Sequence, residues 1–157
     1  MKRARLPLVA LPLSVLAACG GGGGGGGDEA KGAYVAAAAG VCASAQKDSA
    51  ALTRPTKPID LAPAANRTVA IAKRAQEALA ALTPPPQDAA ELRTRVLDPF
   101  AALVRRGQAY AAQVTAAGTD QAKLLPLLGQ QPTAQGVDLD FLRSYGLGVC
   151  ADLLDAR

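Results

Sequence analysis

Histidine and tryptophan are absent from this chain, and only two Phe and three Tyr occur among its 157 residues. Without histidine the chain lacks the commonest general base and the commonest neutral metal ligand. One Met and three Cys supply few soft ligands, so we expect no metal and no cofactor. Half of the residues are hydrophobic, but many of these are Ala, which predicts a thin core of small side chains.

The net charge of +4 overstates how basic the mature protein is. Three of the seventeen cationic residues, Lys2, Arg3 and Arg5, precede Cys19, which leaves fourteen cations against thirteen acids. No aromatic residues alternate with the arginines as they do in single-strand binders. We therefore expect no nucleic-acid partner.

The first eighteen residues have the order of an export signal. A short cationic segment, residues 1–5, precedes an apolar segment from Leu6 to Ala18. Thirteen residues are too few to span a bilayer as a helix, which takes about 20. Residues 1–18 are therefore predicted to be a cleaved signal peptide.

The end of that segment, Leu16-Ala17-Ala18-Cys19, resembles the lipobox of bacterial lipoproteins. The resemblance implies that a diacylglyceryl group is transferred to the Cys19 thiol and that cleavage occurs before Cys19. Acyl chains on this residue would anchor the protein stably to a membrane. The eight glycines Gly20 to Gly27 follow, so residues 19–27 are predicted to be the lipidated Cys and a flexible tether.

From Asp28 onward the apolar residues recur at helical spacing, and no stretch has the pattern of a strand. The sequence therefore predicts an all-α domain over residues 28–157, arranged as a four-helix bundle. The predicted helices cover residues 29–53, 62–82, 89–117 and 138–154, with a short apolar piece at 124–128.

Local signals refine two of these helices. Asp88 and Glu91 resemble a capping box at the start of the third helix, and Asp138 is the predicted N-cap of the last. Pro99 lies inside the third helix, which we expect to be kinked about one turn before it.

Cys42 and Cys150 remain once Cys19 is assigned to the lipid. They fall in the first and last helices, and exported thiols tend to oxidise, so a disulfide is predicted between them. Helices normally pack 8–10 Å apart, whereas bonded Cys residues need Cα atoms about 5.5 Å apart. We expect the small residues nearby to allow this approach: Ala38, Ala39, Ala45, Gly146 and Gly148.

No catalytic constellation emerges from the sequence. The serines have no His partner, and none lies in a nucleophile elbow. Asp138 and Asp140 are explained by helix capping without a metal ion. Arg95 and Arg106 share a helix face, which either meets water or faces anionic lipid headgroups. We therefore predict that the protein is not an enzyme.

The chain as a whole resembles small lipoproteins of high-GC Gram-positive bacteria with a lipobox, a low-complexity spacer and a two-Cys helical domain. The matching segments are Leu16 to Cys19, Leu79 to Pro85 and Gly146 to Leu153. The resemblance implies attachment to the outer face of the cytoplasmic membrane, or to an outer membrane in a Gram-negative host. It implies no activity.

Two functions follow as hypotheses. The first is a non-enzymatic interaction or binding module whose partner is an envelope protein. The second is a carrier that holds a lipid or other amphiphile in an apolar groove of the bundle. A single large pocket would favour the carrier, and its predicted lining is Leu92, Val96, Phe100 and Leu103.

Overall fold

A computed structural model describes residues 26–155, and these form an all-α fold. The signal peptide, the predicted acylation site Cys19 and all of the tether before Gly26 lie outside the described residues. The helices are α1 (Gly26–Ala50), α2 (Pro58–Ala80), α3 (Ala89–Leu92), α4 (Asp98–Ala117), α5 (Gln121–Leu128), α6 (Leu139–Tyr145) and α7 (Gly148–Asp155). A π-helical turn, Arg93–Leu97, joins α3 and α4 into one continuous rod.

Helix α1 begins at Gly26, so the last two glycines of the predicted tether are helical. It ends at Ala50, three residues before the predicted end. Helix α2 starts four residues earlier than predicted because Pro58 occupies its first turn, where a missing N–H costs nothing. The two helices run antiparallel, and α2 packs most extensively against α4.

The core lies on one face of each of the first three predicted helices. Ala38, Cys42 and Ala45 are buried on α1, and Ala75 and Leu79 are buried on α2. In the rod formed by α3, the π turn and α4, the buried residues lie four positions apart from Leu92 to Val104. Beyond Val104 they follow ordinary helical spacing. The buried residues are Leu92, Val96, Phe100, Val104, Ala111 and Val114. A π turn contains more residues than an α-helical turn. The residue that faces the core after Phe100 is therefore Val104, whereas the sequence predicted Leu103.

The capping box predicted for the third helix is wrong. Asp88 makes no side-chain cap; its carboxylate accepts a hydrogen bond from the Tyr145 hydroxyl at 2.6 Å instead. Glu91 pairs with Arg95 one turn later. The N-cap predicted at Asp138 is confirmed, since its Oδ1 accepts from the Phe141 N–H at 2.8 Å.

The predicted last helix is divided in two at Gly146. This residue has φ of 99°, a left-handed conformation that glycine adopts readily. Leu147 N–H donates to the Leu142 carbonyl and Gly146 N–H to that of Arg143, a Schellman motif that ends α6. The break rotates the buried face, so Phe141, Leu142 and Leu147 are buried whereas Val149 is 37% exposed.

The predicted disulfide is confirmed. Cys42 and Cys150 are bonded, with Cα atoms 5.1 Å apart, and both are buried between α1 and α7. The Cys150 sulfur lies 3.7 Å from the carbonyl oxygen of Ala38, whose side chain is fully buried. A Cβ atom at Gly146 would lie 3.3 Å from Cγ1 of Val35, so this glycine also permits the close approach to α1.

Loss of the disulfide is predicted to destabilise the fold strongly. The bond closes a loop with a sequence separation of 108, and such a loop is worth about 4–5 kcal/mol through restriction of the unfolded chain. Urea unfolding of the chain from residue 20 onward, with and without reductant, measures the difference. The same chain carrying Cys42→Ala and Cys150→Ala serves as control and should not respond to reductant. Equal midpoints for the oxidised and reduced wild-type chains would contradict the prediction.

Gly146→Ala should lower the free energy of unfolding by about 1–2 kcal/mol, since a Cβ is strained at positive φ and would also crowd Val35. Gly148→Ala is the matched control. A Cβ at Gly148 meets no atom within 4 Å, so the same methyl group should leave stability unchanged or slightly raised. Denaturant melts of the two variants test this pair, and equal losses would show that the turn at Gly146 has been misassigned.

Candidate functional site

The residues predicted to line one carrier groove are divided between two neighbouring spaces and the packed core. Val96 and Phe100 line an enclosed cavity of about 20 Å³ beside the disulfide. Phe100 and Leu103 line a second space of about 130 Å³ near the end of α7. Leu92 is fully buried in the core. A cavity of 20 Å³ holds about one water molecule, whereas small-molecule pockets measure about 300–1,000 Å³.

Alanines leave gaps between α1 and α2. An open groove of about 260 Å³ lies between these helices, with Asp48 and Arg74 in its lining. These two side chains form a salt bridge of 3.2 Å. The groove shares Ala45, Ile71 and Ala75 with the 130 Å³ space, so three side chains, two of them alanines, separate the two. The small side chains predicted from composition thus leave unfilled space at the α1–α2 contact.

A second, smaller apolar cluster closes the end of the fold where α1 ends. Val114, Ala117 and Leu124 are buried there against half-buried Leu61 and Leu127. We call this region, residues 51–68 and 110–132, the far end. It is the opposite end of α1 from Gly26, and 25 helical residues place it about 37 Å away.

Large apolar side chains are exposed at the far end. Ile59 is 62% exposed, Leu125 is 67% exposed and Leu128 is 47% exposed. Leu125 and Leu128 are neighbours on the surface of α5, since residues three apart lie on one helix face. Val149 on α7 is the one other large apolar residue exposed to this degree within the described part of the chain.

Two grooves adjoin at the far end because both are lined by Pro55 and Ala64. The Tyr110 groove, about 280 Å³, includes Leu61, Tyr110 and Pro132 in its walls. The Arg67 groove, about 290 Å³, has walls that include Arg54, Asp60 and Arg67.

The cations of the Arg67 groove are unpaired among residues 26–155: no salt bridge there involves Arg54 or Arg67. Asp60 is the one carboxylate in the groove lining. Nearby Asp120 is already engaged, because its carboxylate caps α5 by accepting from the Ala122 and Lys123 N–H groups. The far end therefore offers positive charge beside exposed apolar surface.

Arg95 and Arg106, the two arginines on the shared helix face, both bind the segment that follows α5. Arg106 donates to the Thr133 and Gln135 carbonyls, at 3.4 and 3.0 Å. Arg95 donates to the Asp138 carboxylate from Nε at 3.1 Å and from Nη2 at 2.7 Å. The shared helix face was visible in the sequence, but its partner, the loop about 30–40 residues later, was not.

Pro99 explains why the loop docks at Arg95. In an α-helix the Arg95 carbonyl would accept from the N–H of residue 99, which proline lacks. The Asp138 N–H donates to that carbonyl instead, at 3.0 Å. About one turn before Pro99, where the sequence predicts a kink, the structure has the π turn Arg93–Leu97. Asp138, the N-cap of α6, donates the hydrogen bond at this turn.

Two tyrosines and Asp138 have shifted pKa values. Burial is the main cause that raises the pKa of Tyr145, and the hydrogen bond to Asp88 adds to it. Burial also raises the pKa of Tyr34, whose ring meets that of Tyr145 edge to face. The backbone N–H of Phe141 and then the Arg95 guanidinium lower the pKa of Asp138. The raised pKa values of the tyrosines thus reflect packing between helices, whereas the lowered pKa of Asp138 reflects its own N-cap as well as its contact with Arg95.

No group of three or more acidic or Cys side chains between residues 26 and 155 is placed to hold a metal ion. None of the helices described there combines the length and apolarity that a transmembrane segment needs.

The contribution of the Asp138 charge should depend on pH. A carboxyl whose pKa is lowered on folding stabilises the fold above its unfolded pKa, near 4, and loses that effect as pH falls through the folded value. Asp138→Asn keeps an N-cap acceptor but removes the charge beside Arg95. We expect it to destabilise the protein at pH 7, and this difference from wild type should shrink below about pH 4.

Urea unfolding at pH 7, 5 and 3 measures this difference. Asp140→Asn is the control, since the Asp140 side chain is 98% exposed and should give a much smaller effect at pH 7. A difference for Asp138→Asn that stays constant from pH 7 to pH 3 would contradict the role given to its charge.

Comparison with known proteins gave no match: no family model, no curated protein and no solved structure is significantly similar to the chain. The resemblance to small lipoproteins therefore stays a prediction.

Proposed function

We propose that the protein is a non-enzymatic interaction module, anchored by acyl chains on Cys19 to the outer face of the cytoplasmic membrane. In this proposal residues 1–18 are removed as a signal peptide, and the segment from Cys19 to Gly27 connects the anchor to the helical domain. We take the domain to be a four-helix bundle made of α1, α2, the rod of α3 and α4, and the pair α6 and α7, which Gly146 divides.

The observation that carries this proposal is the exposed apolar surface of the far end. Leu125 and Leu128 remain exposed on one short helix although the cluster beneath them is well buried. Exposed apolar patches on soluble domains commonly mark interaction sites. The far end is also separated by the length of α1 from Gly26, the end nearest the proposed anchor.

The use of the polar side chains also supports an interaction module over an enzyme. The hydrogen bonds from Tyr145 to Asp88 and from Arg95 to Asp138 connect different helices. No Asp, Glu, Lys or Arg is buried within residues 26–155, and the hydroxyl of the buried Tyr145 is hydrogen-bonded to Asp88. Catalytic groups with altered pKa values usually lie in a cleft, whereas Tyr34 and Tyr145 pack in the helical core.

The carrier remains the second candidate because of the α1–α2 contact. The 260 Å³ groove and the 130 Å³ space are divided by Ala45, Ile71 and Ala75. A modest separation of α1 from α2 would join them into a volume within the range of ligand pockets. Mass spectrometry of protein and lipid that co-purify from native membranes separates the candidates: a stoichiometric lipid beyond the anchor favours the carrier, and a specific protein favours the module.

Cys19→Ala should abolish acylation and block removal of residues 1–18, because the thiol that receives the diacylglyceryl group before cleavage is lost. Metabolic labelling with a clickable palmitate and the intact mass of the protein measure the two effects. Cys42→Ala is the matched control and should keep the label. An intact mass showing an unmodified residue 19 at the mature N-terminus would refute the anchor.

A further inference from the structure

We propose that the far end binds a segment of a second envelope protein in which a carboxylate lies next to a large apolar side chain. This inference rests on the proposed function, since it takes the domain to be tethered at the Gly26 end. It adds the surface that is used and the chemistry of the partner.

The apolar half of the surface is the Tyr110 groove together with the α5 leucines. Leu61, Tyr110 and Pro132 provide the apolar part of the walls around an open volume of about 280 Å³, beside Thr68 and Gln131. A Leu or Phe side chain of the partner can enter a depression of this size, in the way that interface anchors fill pockets. Leu125 and Leu128 are further exposed apolar side chains on α5 at the same end of the domain.

The charged half is the Arg67 groove, which adjoins the first at Pro55 and Ala64. Arg54 and Arg67 line it, and the single carboxylate there, Asp60, leaves an excess of positive charge. Guanidinium groups bind carboxylates through paired hydrogen bonds, which gives specificity as well as attraction. The adjoining grooves thus match an acidic residue followed closely by an apolar one.

The position of the chain ends argues against the bilayer as the occupant. The seven residue-to-residue steps from Cys19 to Gly26 span at most about 24 Å when extended, and α1 then places the far end about 37 Å further on. Only a domain lying along the membrane surface would bring this region to the lipids. With α1 directed away from the bilayer, the far end meets other proteins of the envelope.

Charge argues against a second copy of this chain. In a two-fold contact the same surface meets itself, so the unpaired Arg54 and Arg67 of one copy would approach those of the other. Like charges facing each other disfavour such a contact. A partner with carboxylates removes that penalty, because each cation then gains a counter-ion.

In-cell photocrosslinking tests the proposal with the full-length, acylated protein. Benzoylphenylalanine replaces Gln131, an exposed residue of the Tyr110 groove. Gln87, exposed near Gly27 at the opposite end, is the matched control position. We expect one discrete protein adduct from position 131 that position 87 does not give, and its crosslinked peptide should contain Asp or Glu within a few residues of a Leu, Ile or Phe.

Charge reversal distinguishes specific docking from chance proximity. Arg54→Glu with Arg67→Glu should reduce the adduct at least five-fold. Lys47→Glu with Arg105→Glu makes the same change in net charge at exposed sites elsewhere and should leave the adduct intact. Protection of Cys42 and Cys150 from alkylation in each variant shows that the domain has folded.

Several results would overturn the inference. They are a lipid adduct at position 131, an adduct whose peptides all come from this chain, an adduct unaffected by the Arg54 and Arg67 reversals, or no adduct there. A specific protein adduct at position 87 alone would reject the far end while keeping the interaction module. Adducts at neither position, in cells where palmitate labelling of Cys19 is normal, would reject both.

Discussion

The covalent contact between α1 and α7 sets the geometry on which the rest of the domain depends. Cys42 and Cys150 hold their Cα atoms 5.1 Å apart, well inside ordinary helix spacing. That distance is compatible only with small residues beside it, and Ala38 and Gly146 meet this demand. Because α7 is fixed on α1, the short α6 and the loop before it must run back along α4 to reach it.

Pro99 supplies the complementary constraint on that return path. Because Pro99 has no N–H, the Arg95 carbonyl on the side of the rod lacks its helical donor. The Asp138 N–H donates to this carbonyl instead. The Arg95 side chain also binds the Asp138 carboxylate, so these two residues contact each other through both their backbones and their side chains. Arg106 fixes the preceding loop at two carbonyls. The π turn in the long rod is thus the place where the start of α6 is held.

Helices, their approximate limits and the disulfide were predictable because their causes are local or few. Apolar spacing identified the buried faces of α1, α2 and the long rod, proline marked helix boundaries, and the two Cys that remain once Cys19 is set aside have one pairing. The division at Gly146 was missed, although Gly146 followed by the apolar Leu147 is the pattern of a Schellman motif. Asp88, Arg95 and Arg106 could not be assigned, because their partners lie about 30–60 residues away in sequence. The adjoining grooves of the far end depend on loops and were likewise not predictable.

Helix α1 is an uninterrupted rod of 25 residues, and its stiffness has a consequence for selection among partners. The helix keeps the far end about 37 Å from Gly26, so under the proposed anchorage only the short glycine tether and the tilt it allows change the height of the far end. A partner rooted in the same membrane would then meet the far end only if its own epitope stood within that range of heights. In such an arrangement the length of one helix would discriminate among candidates that share the same surface chemistry.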